Sequence, residues 1–312
     1  MFLAVLGGLL AVTATIWAAR PDLGGRVQAI TRAERPSDDY YLAHDRIGHV
    51  DHHVLYHGTD REALAHLKRA DVLLVGNSRL MFAARPGVLD RFFADRGLRY
   101  YVLGFGFREA DRFPLALIEK HDLRPRYVIV NADGFFENFL SDFGATVLAD
   151  NAISAWQFQR EAETSHEVRR GLHLLAPNWI DLFGRPGFPR RRELIIYRSR
   201  TNGAWQLSPW APGTGRVPGR DLDEPPLNAE EQAAARAFKA AMERRGATVL
   251  LTYVPTPRPL GAGPRRFAAF LGVPLVEAMP GRLFTEDDDH LDEASAVVWS
   301  EAFVRALEPV LP

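Results

Sequence analysis

The chain lacks cysteine altogether, and only three of its 38 basic residues are lysines. Without cysteine it can form neither a disulfide framework nor a thiolate metal site. The absence is consistent with an oxidising compartment outside the cytoplasm. A formal net charge of −1 provides no overall field that would attract nucleic acid. The sequence therefore predicts a protein without disulfides, thiolate-bound metal or a nucleic-acid partner.

Charge is also missing from the first stretch of the chain, since Phe2 to Ala19 contain no charged residue and are followed by Arg20 and Pro21. This length is close to the minimum for a spanning helix and exceeds the usual core of a signal peptide. We expect residues 1–20 to form an uncleaved signal anchor, with the remainder extracytoplasmic (periplasmic or at the cell surface). A cleaved signal peptide and a buried N-terminal helix are the alternatives.

The next segment, residues 21–70, is polar and has no long apolar period. It predicts a juxtamembrane stalk that ends in a short helix from Arg61 to Arg69. Five of the ten histidines lie here, at positions 44, 49, 52, 53 and 57. With Asp45 and Asp51 they could form a zinc or nickel site. Their spacing fits a helical ligand pair less cleanly than a metalloprotease motif does, so a compositional cluster in a linker is the favoured interpretation.

A regular alternation of strands and helices begins at residue 71. The whole chain has 312 residues, of which 47% are hydrophobic and 25% are charged, and this allows one α/β domain with an insertion. The apolar runs that suit strands are Val72–Val75, Tyr100–Leu103, Tyr127–Val130, Thr248–Tyr253 and Val273–Val276. Helical spacing between them predicts a parallel sheet covered on both faces. We expect residues 71–312 to form a flavodoxin-like three-layer α/β/α domain with strand order 2-1-3-4-5.

Residues 135–226 interrupt this alternation. Asn151 to Leu175 has helical character, and Glu193 to Gln206 resembles a hairpin whose turn is Thr201-Asn202-Gly203. An insertion of this size at the end of a strand is a candidate cap or lid, with simple packing as the alternative. Its arginines, 185, 190–192, 198 and 200, could contact anionic glycan or lipid, but solvated arginines on a hairpin are the favoured interpretation. Its tryptophans, 156, 179, 205 and 210, could stack on sugar rings or form the insertion's own core.

Two short segments carry the residues typical of nucleophilic catalysis. Ser78 follows the first strand of the sheet directly and precedes a helix, which places it at the carboxyl edge near free backbone N–H groups. Asp287 and His290 form an Asp-x-x-His segment just before the last helix. An aspartate so placed can orient the imidazole, whose other nitrogen accepts the serine proton. Separately, such segments are more often a helix cap and a solvated acidic loop. Their joint position in an α/β chain favours a catalytic triad.

These segments resemble the SGNH/GDSL hydrolase superfamily. Gly76-Asn77-Ser78 is similar to its first block, and Asp287-x-x-His290 to its last. The resemblance covers residues 70–134 and 246–308, and it is closest to membrane-anchored proteins of polysaccharide O-acetylation and cell-envelope modification. It implies a glycine N–H and an asparagine side chain in the oxyanion hole, beside the N–H of Ser78. Gly106 is the preferred glycine, with Gly104 as the alternative. Asn131 is the candidate asparagine, although Ala132 stands where alignment on Asp133 would place it.

The expected function is acyl-ester hydrolysis or O-acyl transfer, with acetyl the acyl group that the resemblance implies. Acylated carbohydrate outside the cytoplasm is the expected substrate, and a membrane acyl-donor protein is a candidate partner. The mechanism requires no metal or organic cofactor. A non-catalytic envelope protein that retains the fold and binds glycan or a membrane partner is the alternative.

Overall fold

A computed structural model describes residues 36–45, 48–106, 109–175, 195–208, 215–217, 225–257, 263–278 and 280–311. The predicted signal anchor, residues 1–20, lies outside this part of the chain. Among the described helices, none is both long enough and apolar enough to cross a bilayer.

Strands and helices alternate along much of the described part of the chain. The strands are β1 (Tyr40–Asp45), β2 (Gly48–His49), β3 (Val72–Asn77), β4 (Tyr100–Phe105), β5 (Tyr127–Asn131), β6 (Ile195–Ser199), β7 (Trp205–Ser208), β8 (Gly215–Arg216), β9 (Thr248–Thr252), β10 (Leu275–Val276) and β11 (Phe284–Thr285). The helices are α1 (Val50–His57), α2 (Arg61–Lys68), α3 (Ser78–Ala83), α4 (Pro86–Ala94), α5 (Arg112–Lys120), α6 (Asp142–Ala149), α7 (Ala152–Leu175), α8 (Ala229–Glu243), α9 (Pro264–Leu271) and α10 (Glu293–Leu307).

A five-stranded parallel sheet forms the centre of the domain, in the order β10-β9-β5-β3-β4. Read from the β4 edge and numbered by their order in the chain, these five strands have the order 2-1-3-4-5. All six residues of β3 and of β4 are buried. Burial on both faces explains why these segments are continuous apolar runs rather than alternating ones. The fold is therefore α/β with a parallel five-stranded sheet.

Each face of the sheet has its own core, because successive strand side chains point in opposite directions. Leu73 and Val75 belong to one apolar cluster, together with residues of α1, α2, α5, α8 and α9. Val72 and Leu74 belong to the other, together with residues of α3, α4 and α10. Both clusters contain fully buried aromatic side chains, including Phe113 and Trp299. Helices therefore cover the sheet on both sides.

The described part of the predicted stalk is folded into the domain, so that interpretation is wrong for residues 36–45 and 48–70. Strand β1 pairs with β2 and with β6 of the insertion, in a second, antiparallel sheet of order β2-β1-β6-β7. Val54 and Leu55 of α1 are fully buried in the first core cluster. The segment looked like a linker because several of its polar side chains, such as Asp51 and His52, are themselves buried.

The predicted hairpin in the insertion is confirmed, since β6 and β7 pair antiparallel around residues 200–204. Its turn lies against the edge strand β4, where the N–H of Val102 donates to the carbonyl of Asn202 at 2.8 Å. Gly203 has a φ of 72°, and a Cβ at this position would lie 2.5 Å from the carbonyl oxygen of Val102. The hairpin therefore covers an otherwise open sheet edge, and glycine allows the close approach.

Candidate active site

Ser78 is the first residue of α3, immediately after the carboxyl end of β3. The preceding residue, Asn77, is extended and caps the helix, because its Oδ1 accepts a hydrogen bond from the N–H of Arg79 at 3.1 Å. This cap stops the strand and turns the chain into the helix within one residue. The side chain of Ser78 is partly exposed at that edge.

Asp287 and His290 lie in a tight loop between β11 and α10. An antiparallel bridge joins Thr285 to Leu291 at the base of the loop. At its tip, Asp287 Oδ1 accepts hydrogen bonds from the N–H of Asp289 at 3.0 Å and of His290 at 2.8 Å. One oxygen of Asp287 therefore shapes the loop, which leaves the other oxygen for the imidazole.

The structure brings Ser78, His290 and Asp287 into one hydrogen-bonded chain. His290 Nε2 lies 2.9 Å from Ser78 Oγ, and His290 Nδ1 lies 2.8 Å from Asp287 Oδ2. A carboxylate at Nδ1 favours the tautomer with the proton on that nitrogen, so Nε2 can accept the serine proton. Burial tends to raise the pKa of Asp287, but hydrogen bonds from His290 outweigh it and bring the pKa to about 2. Asp287 is therefore ionised at neutral pH.

The imidazole also rests on an aromatic ring that sequence reasoning missed. Phe82 stacks on His290, with ring centroids 4.1 Å apart and an interplanar angle of 30°. Phe82 lies four residues after Ser78 on α3, and side chains at that spacing share a helix face. This spacing was the available signal, and Phe82 limits how the ring of His290 can rotate.

Arg79 is a second side chain at the site that the sequence did not single out. Its guanidinium is 3% exposed and donates through Nη1 to Asp133 and through Nη2 to Asp289 Oδ1, the latter at 2.9 Å. Asp133 follows β5, and Asp289 belongs to the loop of His290. Arg79, the residue after the serine, therefore connects the start of α3 to two other segments of the site.

Gly106, the preferred oxyanion glycine, follows β4 directly. Because Asn77 pairs with Phe105 across the parallel strands, Gly106 stands beside Ser78 in the register. A Cβ at Gly106 would lie 2.8 Å from His49 Cε1, whereas one at Gly104 would lie 2.6 Å from Met81 Sδ. Close packing thus accounts for both glycines, and the role of the Gly106 N–H stays a prediction.

Asn131, the candidate oxyanion side chain, has other contacts. Its Nδ2 donates to Asn77 Oδ1 at 3.2 Å, and its Oδ1 accepts from the N–H of Val254 at 3.0 Å. Asn77 in turn donates from Nδ2 to the carbonyl of Asp133 at 2.8 Å. Asn131 has no accessible surface, so a substrate could reach its amide only after a rearrangement. In this structure the amide of Asn131 binds Asn77, the residue that caps the helix of Ser78. A contact between Asn131 and an oxyanion stays a prediction.

Part of the histidine cluster is brought together in the core. His49, Asp51 and His52 offer ligand atoms within 4.8 Å of one another, and all three are buried. The carboxylate of Asp51 already accepts from His52 Nδ1 and Arg198 Nη1, each at 3.0 Å, and from Trp205 Nε1 at 3.3 Å. A metal ion would have to compete with these donors. The cluster is part of the packed domain and not a compositional accident of a linker.

The arginines of the insertion fall into two groups, those within the described residues and those outside them. Arg198 is fully buried and also donates to the carbonyls of Val102 and Gly104, at 2.6 and 3.1 Å. The interpretation as a solvated arginine is therefore wrong for Arg198, because the carbonyls of the edge strand and Asp51 replace its water. Arginines 185 and 190–192 lie outside the described residues.

The insertion also touches the loop of His290. Strand β8 pairs with β11, and Thr285 Oγ1 donates to the carbonyl of Gly215 at 3.1 Å. A Cβ at Gly215 would lie 2.6 Å from Asp288 Oδ1. This part of the insertion therefore flanks the candidate site, while its function as a cap or lid stays a prediction.

Comparisons with known proteins give little more. No protein-family model and no curated protein matches the chain. A solved structure from Bacteroides fragilis, described as a "putative acylhydrolase", matches over 81% of this chain and 96% of its own chain, with 12% sequence identity and a TM-score of 0.36. A TM-score this low carries no argument about the chemistry of the chain.

Proposed function

We propose that the chain is a serine-dependent acyl-ester hydrolase or O-acyltransferase of the SGNH type. One observation carries the proposal: Ser78 Oγ, His290 and Asp287 form a continuous hydrogen-bonded chain with contacts of 2.9 and 2.8 Å at the carboxyl edge of the sheet. Ligands bind outside this edge in parallel α/β sheets. The three residues come from the two segments that resemble the first and last blocks of the family.

The reaction proceeds in two steps. His290 Nε2 takes the proton of Ser78 as Oγ attacks the ester carbonyl, and the tetrahedral intermediate expels the alcohol, which receives that proton from His290. Water or a sugar hydroxyl then attacks the acyl-enzyme, with His290 again accepting and returning a proton. The ionised Asp287 stabilises the imidazolium in both steps. The N–H of Ser78 and the N–H of Gly106 are the proposed donors to the oxyanion.

The proposed substrate is an acylated carbohydrate outside the cytoplasm, with acetyl as the acyl group. This assignment rests on the motif resemblance and on the apolar segment from Phe2 to Ala19 as a membrane anchor. Fractionation of cells that express the full chain, with protease added from the outer side, tests the location. Protection of residues 36–311 in intact spheroplasts would contradict it.

Turnover of p-nitrophenyl acetate by the full chain tests the chemistry. We expect Ser78→Ala and His290→Ala to lose several orders of magnitude in rate, because triad members act as a unit. Ser154→Ala on α7 is the matched control for a serine outside the site and should retain full rate. Adding an oligosaccharide acceptor distinguishes hydrolysis from transfer. Equal rates of p-nitrophenyl acetate turnover by the wild-type chain and by Ser78→Ala would reject the proposal.

A further inference from the structure

We propose that Arg79 is a positioning residue, which clamps the loop of Asp287 and His290 to the edge of the sheet through Asp133 and Asp289. The proposal rests on the proposed function, because positioning matters for a reacting Ser78. The described ion pairs of the Arg79 guanidinium are with Asp133 and Asp289. Its influence would pass through the backbone of the loop.

The tip of the loop, which carries Asp287 and Asp289, faces solvent. The side chains of Asp287 and Asp289 are 53% and 41% exposed, respectively. In contrast, Arg79 is 3% exposed, and a guanidinium so buried is stable only with charged partners. Two carboxylates supply them, Asp133 after β5 and Asp289 in the loop of His290. The pairing therefore holds an exposed loop to a buried and rigid part of the fold.

Both ends of the clamp are connected to the reacting groups. The carbonyl of Asp133 accepts from Asn77 Nδ2 at 2.8 Å, one residue before Ser78. The N–H of Asp289 donates to Asp287 Oδ1 at 3.0 Å, and the other oxygen of Asp287 contacts His290. A shift of Asp289 would therefore move the carboxylate that orients the imidazole.

Arginine suits this position better than lysine. The planar guanidinium presents separate N–H groups on one rigid fork, and here Nη1 and Nη2 bind different carboxylates. A lysine has a single ammonium on a shorter side chain and would lose at least one partner. Arg79→Lys should therefore behave as a broken clamp although the positive charge is retained.

The test uses fluorophosphonate labelling of the full chain, analysed as a maximal labelling rate and a half-saturating concentration. Asp289→Ala should lower the maximal rate roughly 10- to 100-fold, since a displacement of about 1 Å can cost about 100-fold. The half-saturating concentration should stay constant, and Asp289→Asn should recover part of the rate because its amide oxygen still accepts from Arg79. Asp288→Asn, with the same charge change in the same loop, is the control and should stay within about twofold.

A second readout does not depend on catalysis. The proton on His290 Nδ1, held by Asp287, should give a downfield NMR resonance that disappears in His290→Ala. We expect this resonance to broaden or vanish in Asp289→Ala and Arg79→Lys, and to persist in Asp288→Asn. Wild-type labelling and an intact resonance in Asp289→Ala would overturn the clamp alone. If the wild-type chain is not labelled at Ser78, the proposed function fails, and the resonance still decides whether the clamp exists.

Discussion

Asp287 uses its two oxygens for different purposes, and this division makes its replacement informative. Oδ1 accepts from two loop N–H groups, while Oδ2 accepts from His290 Nδ1. Asp287→Asn would keep an oxygen for the loop and present an amide N–H to His290, which favours the wrong imidazole tautomer. We expect labelling of Ser78 to fall roughly 1,000- to 10,000-fold with no large loss of stability. A fall of less than tenfold, measured beside Asp288→Asn, would contradict this role.

The pH dependence of labelling follows from the same carboxylate. The pKa of Asp287 is about 2, below its ordinary value, so this group stays ionised as the pH falls and takes up a proton only near pH 2. We therefore expect no inflection from Asp287 between pH 4 and pH 9 in a profile of labelling rate against pH. Carbon-13 NMR of the Asp287 carboxyl against pH measures this directly, and a titration of that carboxyl between pH 4 and pH 9 would contradict the assignment.

The pKa of Asp111 is shifted in the opposite direction. Burial raises its pKa to about 6, although backbone hydrogen bonds partly oppose the shift. The folded state therefore binds this proton more tightly than the unfolded state, and Asp111 reduces stability as the pH rises through 6. Asp111→Asn should stabilise the fold at pH 8 by on the order of 1–3 kcal/mol and have little effect at pH 4. Urea unfolding at both pH values measures this, and equal effects would refute it.

Ser78, Asp287 and His290 were proposed together because nucleophilic catalysis requires these residue types in a fixed order. The structure joins their side chains by hydrogen bonds, and their role in a reaction stays a prediction. Arg79 and Phe82 were missed because arginine and phenylalanine on a helix usually have ordinary packing roles. Asn131 was chosen by alignment alone, and alignment does not show that its amide is enclosed by Asn77 and Val254.

Among the elements, the β6–β7 hairpin depends on one buried ion pair. Arg198 Nη1 donates to Asp51 Oδ2 at 3.0 Å, and both side chains have no accessible surface. Removing one partner would leave the other charge buried and uncompensated, so Arg198→Met should cost about 3–5 kcal/mol. Arg160→Met, at an exposed salt bridge on α7, is the control and should stay within about 0.5 kcal/mol. Equal losses in urea unfolding would contradict the structural role of Arg198.

The hairpin was predictable because an Asn-Gly turn between apolar runs is a local signal. Strand β1 was not, since its partner β6 comes from a distant part of the chain and its sequence includes two tyrosines, a histidine and an aspartate. Polar residues such as Asp51 resemble a solvated linker until their partners are known. Long-range pairing therefore marks the limit of sequence patterns at this scale.

For the whole molecule, residues 36–70 should be necessary for folding. They supply β1, α1 and α2, and they bury Val54, Leu55 and Leu67 in the core. A chain that begins at residue 71 should lose cooperative unfolding, because it leaves that face of the core open and β6 without its neighbour. A chain that begins at residue 36 should unfold cooperatively. Circular dichroism during heating distinguishes them, and equal transitions would restore the stalk interpretation.

The central sheet was predictable at this scale because short apolar runs recur with helices between them, and only a parallel sheet buries such runs on both faces. The second sheet is not part of this alternation of strands and helices. It combines β1 and β2 with the hairpin of the insertion, and the pairing of β1 with β6 cannot be predicted from either segment alone.

The central claim is that Ser78 is a nucleophile activated by His290. The most direct measurement is fluorophosphonate labelling of the full chain, followed by mass spectrometric mapping of the modified peptide. The account predicts a single adduct on Ser78 that is absent from Ser78→Ala and strongly reduced in His290→Ala. An adduct on another residue, or no adduct in the folded wild-type chain, would contradict it.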